Sequence, residues 1–183
     1  GGRLWIATLM GTLMKLEPGA VNATAVPILG HRTANIHHLM LDSSRRLWLA
    51  RSSDVLRIDP PYGQAVNVLD VRSTWSAECA AGEYWIGAGT NEDPKLPTLY
   101  RIKDGQVQGF GFANGLLEGP VRSIACAPDG EHVVTYWHAK GWSRVRWNGS
   151  NLDIRHFKPV ATAPIMAAFG PSGRLWLTSD KGL

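Results

Sequence analysis

The residues in this chain that could do chemistry are few and scattered. His37 and His38 are neighbours. On a strand, neighbours face opposite sides, so these two are not expected to share one metal ion. His132 and His138 stand at the two ends of an expected strand. Asn91, Glu92 and Asp93 offer carboxylate and amide oxygens, but as consecutive residues they lack the alternating spacing of a calcium loop. No Gly-x-Ser-x-Gly elbow and no phosphate-binding glycine loop is present. The pattern therefore favours binding over catalysis. Arg72 and Arg122 could grip an anion through forked hydrogen bonds. Arg32, Asn114, Trp137 and His138 fall in or beside expected connectors and could complete a pocket with them. His31, Asn35, Glu92, Asp93 and Asp180 belong to the same wider set. No catalytic residue, metal ligand or cofactor is expected among these positions.

The elements that must position these residues come from a repeat. Gly2-Arg3-Leu4-Trp5-Ile6-Ala7-Thr8 returns as Arg45-Arg46-Leu47-Trp48-Leu49-Ala50-Arg51, then as Gly82-Glu83-Tyr84-Trp85-Ile86-Gly87-Ala88, and last as Gly173-Arg174-Leu175-Trp176-Leu177-Thr178. A further copy, Gly130-Glu131-His132-Val133-Val134-Thr135-Tyr136, has lost its Trp. The Trp positions fall at 5, 48, 85, 133 and 176. Spacing of about 40–45 residues, with short apolar runs cut by turn residues, is that of a four-stranded propeller blade. No long run with a 3.6-residue apolar period supports helical repeats.

The expected fold is all-β, a β-propeller of four-stranded antiparallel blades. The units are 1–29, 30–71, 72–112, 113–158 and an incomplete 159–183. Strands are expected at 36–41, 46–51, 55–58 and 65–71 in the second unit. In the third they are expected at 73–80, 84–88, 98–102 and 106–110, and in the fourth at 121–127, 132–137, 142–147 and 152–157. Second strands occur five times and the others four, so about four blades are expected, as part of a larger propeller. Asp42-Ser43-Ser44-Arg45, Pro128-Asp129-Gly130 and Pro171-Ser172-Gly173 supply the sharp reversals between first and second strands. The repeated Trp residues are expected to fill the wedge between blades. An expanded loop at 89–97 is expected to be solvent-exposed or functional.

The chain of 183 residues carries a net charge of +4 with its basic residues dispersed, which argues against a nucleic-acid partner. It contains no apolar stretch of membrane-spanning length. Cys79 and Cys126 both fall near the ends of first strands but are offset by one residue when their units are aligned. They are expected to face opposite sides of their sheets and to remain two free thiols.

Several of these residues resemble the two-component regulator propeller repeats of bacterial sensor proteins. The resemblance rests on Asn114-Gly115-Leu116, Val121-Arg122-Ser123-Ile124 and Asp129-Gly130 in one unit. Gly2 to Thr8 carry it in the first unit, and Gly82 with Trp85-Ile86-Gly87 and Leu99-Tyr100-Arg101-Ile102 in the third. Asp54-Val55-Leu56-Arg57-Ile58-Asp59 carry it in the second. It implies a periplasmic, non-catalytic sensing region that binds a small molecule, anionic given the arginines, or a protein. A membrane helix and a kinase or cyclase output domain would lie outside these residues, and a homodimer is implied. Streptogramin-lyase-like propellers use similar Gly-x-Leu-Trp strands for metal-assisted elimination, and His138 would then be the catalytic candidate. A protein-interaction scaffold is the third reading.

Overall fold

In the computed structural model the described residues are 2–28, 33–89, 93, 95–137, 141–158 and 165–179. They form strands and a single 3-10 turn, Phe112–Asn114. Two compact units divide the chain, Gly1–Ser73 and Thr74–Leu183.

The first unit holds two sheets. Strands β1 (Leu4–Ala7), β2 (Leu13–Leu16) and β3 (Thr24–Val26) form a three-stranded sheet. Strands β4 (Ile36–Leu41), β5 (Leu47–Arg51), β6 (Val55–Ile58) and β7 (Ala65–Leu69) form a four-stranded one. The second unit holds three sheets. Its first is β8 (Ser73–Ala80), β9 (Glu83–Ala88), β10 (Leu99–Lys103) and β11 (Gln106–Phe110). Its second is β12 (Val121–Cys126), β13 (Glu131–Tyr136), β14 (Trp142–Trp147) and β15 (Leu152–Phe157). The pair β16 (Met166–Phe169) and β17 (Leu175–Thr178) makes the third. All are antiparallel, with each strand bonded to its sequence neighbour, so every sheet is a meander.

Burial grades across each complete sheet. Every residue of β5 is buried, as are all but the first of β9 and β13. Leu47-Trp48-Leu49 and Trp85-Ile86 are therefore apolar on both faces, because β5 and β9 are covered on both sides. Last strands are edges: β15 has no buried residue, and Val66 and Val107 stand exposed on β7 and β11. The first unit's core gathers Leu13, Ile36, Leu49, Leu56 and Ile58, with Trp5 packed against them. The second unit's core gathers Trp85, Phe110, Leu116, Ile124, Val134 and Tyr136.

Two of the repeated tryptophans take buried structural places, whereas Trp176 stands 47 % exposed. Trp48 is 1 % exposed and donates its indole N–H to the Asp42 carboxylate at 2.9 Å. Trp85 is fully buried and donates to Glu83 at 3.1 Å. The same carboxylate takes two hydrogen bonds from Arg101, whose guanidinium also lies 5.0 Å from the Trp147 ring centre. Between first and second strands, Gly82, Gly130 and Gly173 adopt φ of 73°, 79° and 74°, as the sharp reversals require. Arg45 takes that place in the second repeat at φ 62°, and its carbonyl accepts a hydrogen bond from the Tyr62 hydroxyl.

The expectation of free thiols is overturned. Cys79 and Cys126 form a disulfide, with Cα atoms 5.0 Å apart. The one-residue offset has the opposite meaning in stacked sheets. Two sheets meet through unlike faces, one forward and one backward. Residues at equivalent register positions point the same way and cannot meet across the gap, whereas residues offset by one point toward each other. Cys79 on β8 and Cys126 on β12 both pack against the core that these two sheets share.

Candidate functional site

Two first strands carry the same irregularity. Along β12, Val121 faces Tyr136 and Ser123 faces Thr135, which makes Arg122 the extra residue of a β-bulge. Along β4, Ile36 faces Arg51 and His38 faces Ala50, which leaves His37 in the same position of the repeat. Such a β-bulge bends the strand and re-aims the side chain it carries. Each bulge sits at the first residues of its strand, beside the connector that leads in from the preceding sheet.

In the second unit the bulge sets Arg122 against Trp137. The guanidinium carbon lies 3.9 Å from the indole ring centre, a close cation–π stack. Trp137 directly follows β13, and its backbone N–H donates to the Pro120 carbonyl at 2.8 Å. Gly119 makes this closure possible: it holds φ 112°, and a Cβ there would stand 2.6 Å from the Trp137 carbonyl oxygen. Trp137 is 39 % exposed and Arg122 is half-buried. The result is a planar cation backed by an aromatic plate, suited to a carboxylate or phosphate through charge-assisted hydrogen bonds.

In the first unit Arg72 is exposed on the connector between β7 and β8. Partial burial, and then the positive charge of Arg72, hold the pKa of His37 below its usual value. His38 is more deeply placed, and burial pushes it down to about 4. Both shifts favour the neutral ring.

The other expected positions fare differently. The Asn114 side-chain oxygen accepts the Gly111 N–H at 2.9 Å within the 3-10 turn, which Gly115 closes at φ 93°. Its amide therefore shapes the connector. The Asp93 carboxylate accepts the Lys95 N–H. Arg32 and His138 lie outside the described residues, as do His31, Glu92 and Asp180. The structure brings Arg122 and Trp137 together and sets Arg72 near His37. The bulge at His37 departs from the ordinary alternation expected of the two histidines, and it shows only against the paired strand β5.

A second cluster surrounds the disulfide. Cys126 on β12 is paired directly with His132 on β13, and Cys79 arrives from β8. The sulfurs and a His132 ring nitrogen all lie within 4.8 Å of one another. His132 is 4 % exposed, and its Nδ1 has no hydrogen-bond partner among the described residues. The edge of its ring meets Trp85, with ring centres 5.1 Å apart. Burial lowers the pKa of His132, with Glu83 and Asp129 partly opposing the shift.

No protein family and no curated protein matches the sequence. Solved structures do. The extracellular domain of BT4673 from B. thetaiotaomicron, a proposed one-component system, superposes with a TM-score of 0.80 at 14 % identity. That match covers 100 % of this chain and 25 % of the other. Virginiamycin B lyase from Staphylococcus aureus gives 0.77 at 17 % identity, covering 99 % and 64 %. A gluconolactonase from Xanthomonas campestris, XC5397, gives 0.72 at 17 % identity, covering 97 % and 66 %. The chain thus spans a quarter of the length of the BT4673 domain and under two thirds of the lyase's. The class these strands define is the β-propeller, of which the chain presents a part. At such identities the likeness extends to the fold and no further.

Proposed function

We propose that this chain is part of an extracytoplasmic, ligand-sensing propeller of a bacterial transmembrane signalling protein, and that its ligand is anionic. The observation that carries the binding half is the bulged Arg122 stacked on Trp137, an anion-gripping pair held at the start of a first strand. The signalling half rests on the repeat resemblance. The likeness to the BT4673 extracellular domain is consistent with it, and so is the Cys79–Cys126 disulfide, a bond that persists in oxidising compartments. The propeller itself binds and does not catalyse; the kinase or cyclase would be a separate domain of the same protein.

The binding test is a tryptophan-fluorescence titration with inorganic phosphate and with succinate. Trp137 reports directly on Arg122, and a Trp137→Phe variant identifies its share of the signal. A saturable change in the wild-type chain should weaken by about 10–100-fold in Arg122→Ala, the equivalent of losing charge-assisted hydrogen bonds of roughly 1.5–3 kcal/mol. An Arg122→Ala chain that titrates like the wild type would sink the binding half. The signalling half is tested by reading the surrounding open reading frame. A membrane helix followed by a kinase or cyclase supports it, and a frame encoding a freestanding secreted enzyme overturns it.

A further inference from the structure

We propose that Cys79, Cys126 and His132 form a binding site for a thiophilic divalent cation, Zn²⁺ foremost, which the disulfide closes and reduction opens. The proposal is independent of the anion site and of the signalling role.

Three observations lead there. The first is convergence. Cys126 and His132 are a directly opposed pair on β12 and β13, so their side chains share one face of that sheet. Cys79 reaches them from β8 of the neighbouring sheet, and the three donor atoms lie within 4.8 Å of one another. Tetrahedral zinc ligands at bond lengths of about 2.1–2.3 Å stand roughly 3.6 Å apart, so small side-chain rotations suffice once the sulfurs part. The second is an unmet need. His132 is 4 % exposed, and its Nδ1 has no partner among the described residues, although buried polar atoms are normally satisfied. A cation held by the two sulfurs would give this buried ring a partner through the nitrogen that faces them. The third is donor chemistry. Two thiolates and an imidazole select zinc-like ions over magnesium or calcium, which take oxygen. With three protein ligands, and both cysteines only half-buried, a fourth position remains for water or an added ligand.

The chemistry balances in two steps. An external dithiol gives two electrons and two protons to the Cys79–Cys126 bond, which becomes two thiols while the dithiol becomes a disulfide. Zn²⁺ then takes both sulfurs as thiolates and releases two protons. Oxidised and metal-bound forms are mutually exclusive, because sulfurs bonded to each other cannot ligate as anions. Either form ties β8 to β12, one by a covalent bond and the other by coordination.

The test uses the whole chain, reduced with a dithiol, desalted without oxygen and titrated with Co²⁺ and then Zn²⁺. Reduced wild-type protein should bind one Co²⁺ per chain with a thiolate-to-cobalt charge-transfer band. Zn²⁺ should displace the cobalt and protect both cysteines from alkylation. Oxidised protein should show no such band. His132→Asn should bind more weakly by at least the roughly 10–100-fold that loss of an outer-shell partner costs. His132→Gln serves if the first variant does not fold, with circular dichroism as the control. Absence of the band in the reduced wild type overturns the proposal whatever the variants do. So does a folded His132 variant with wild-type affinity, which would leave two thiols binding metal without the histidine.

Discussion

Gly87 shows how a single missing side chain sets the distance between two sheets. Its backbone has no positive φ, so conformational freedom is not the reason for glycine here. A Cβ at this position would lie 2.6 Å from Val121 Cγ1 and 3.1 Å from its Cβ. The bare backbone lets β12 approach β9 closely, and Thr74 uses that closeness to hydrogen-bond both the Gly87 and the Val121 carbonyls. Thr135 holds the Gly87 position in the next repeat, where its hydroxyl reaches the Ile165 carbonyl at 3.2 Å. Gly87→Ala should therefore destabilise the second unit by about 1–3 kcal/mol, the usual cost of overpacking. Val121→Ala in the same chain should recover part of that loss, because it removes the methyl groups in the way. Urea unfolding of the two single variants and the double variant measures the coupling. Additive effects would mean that Gly87 is not there for Val121.

At the scale of elements, the disulfide joins two first strands across 47 residues of sequence. Closing a loop of that length stabilises by about 4 kcal/mol on a chain-entropy estimate, and typical measured values run ~2–4 kcal/mol. Adding a dithiol in the absence of metal should lower the urea midpoint of the second unit and leave the first unit's unchanged, since Cys79 and Cys126 both belong to the second. Tryptophan fluorescence of Trp5 and Trp48 variants can separate the two units. Much of this level was legible in the sequence. The expected strand at 36–41 is β4, and those at 142–147 and 152–157 are β14 and β15, because apolar runs bounded by Gly, Asp and Pro leave little choice of boundary. What could not be read was how one sheet faces the next. The disulfide was misjudged because register within a repeat says which way a side chain points, and the partner sheet decides what it meets. The bulges at His37 and Arg122 were invisible for a related reason: an extra residue shows only against its paired strand. Arg122 and Trp137 could be named as binding candidates by type and connector position. Their stacking could not, because it depends on the bulge and on Gly119.

At the scale of the whole chain, acid should weaken the structure in two windows. In the first unit, burial holds His38 at about 4 in the folded state against an ordinary 6.5. Between those values the unfolded chain takes up a proton that the folded one refuses, so stability falls as pH drops from about 6.5 to 4. In the second unit, hydrogen bonds from Arg101 lead in holding Glu83 at about 2 against 4.5. Its contribution is complete above 4.5 and is lost as pH falls through 2. His38→Gln should flatten the upper window and Glu83→Gln the lower, read as urea midpoints across the pH range. A first unit whose midpoint holds steady between pH 6.5 and 4 would contradict the His38 assignment. The offset of the two cysteines also constrains how such a chain can grow by copying its own repeats. Duplicating the third repeat alone would add a Cys79-type thiol facing forward with no backward-facing mate, and duplicating the fourth alone would add the reverse. Only copying the two together adds a matched pair, so the bridge makes a two-repeat segment, rather than one blade, the unit of gene duplication that leaves no stray thiol behind.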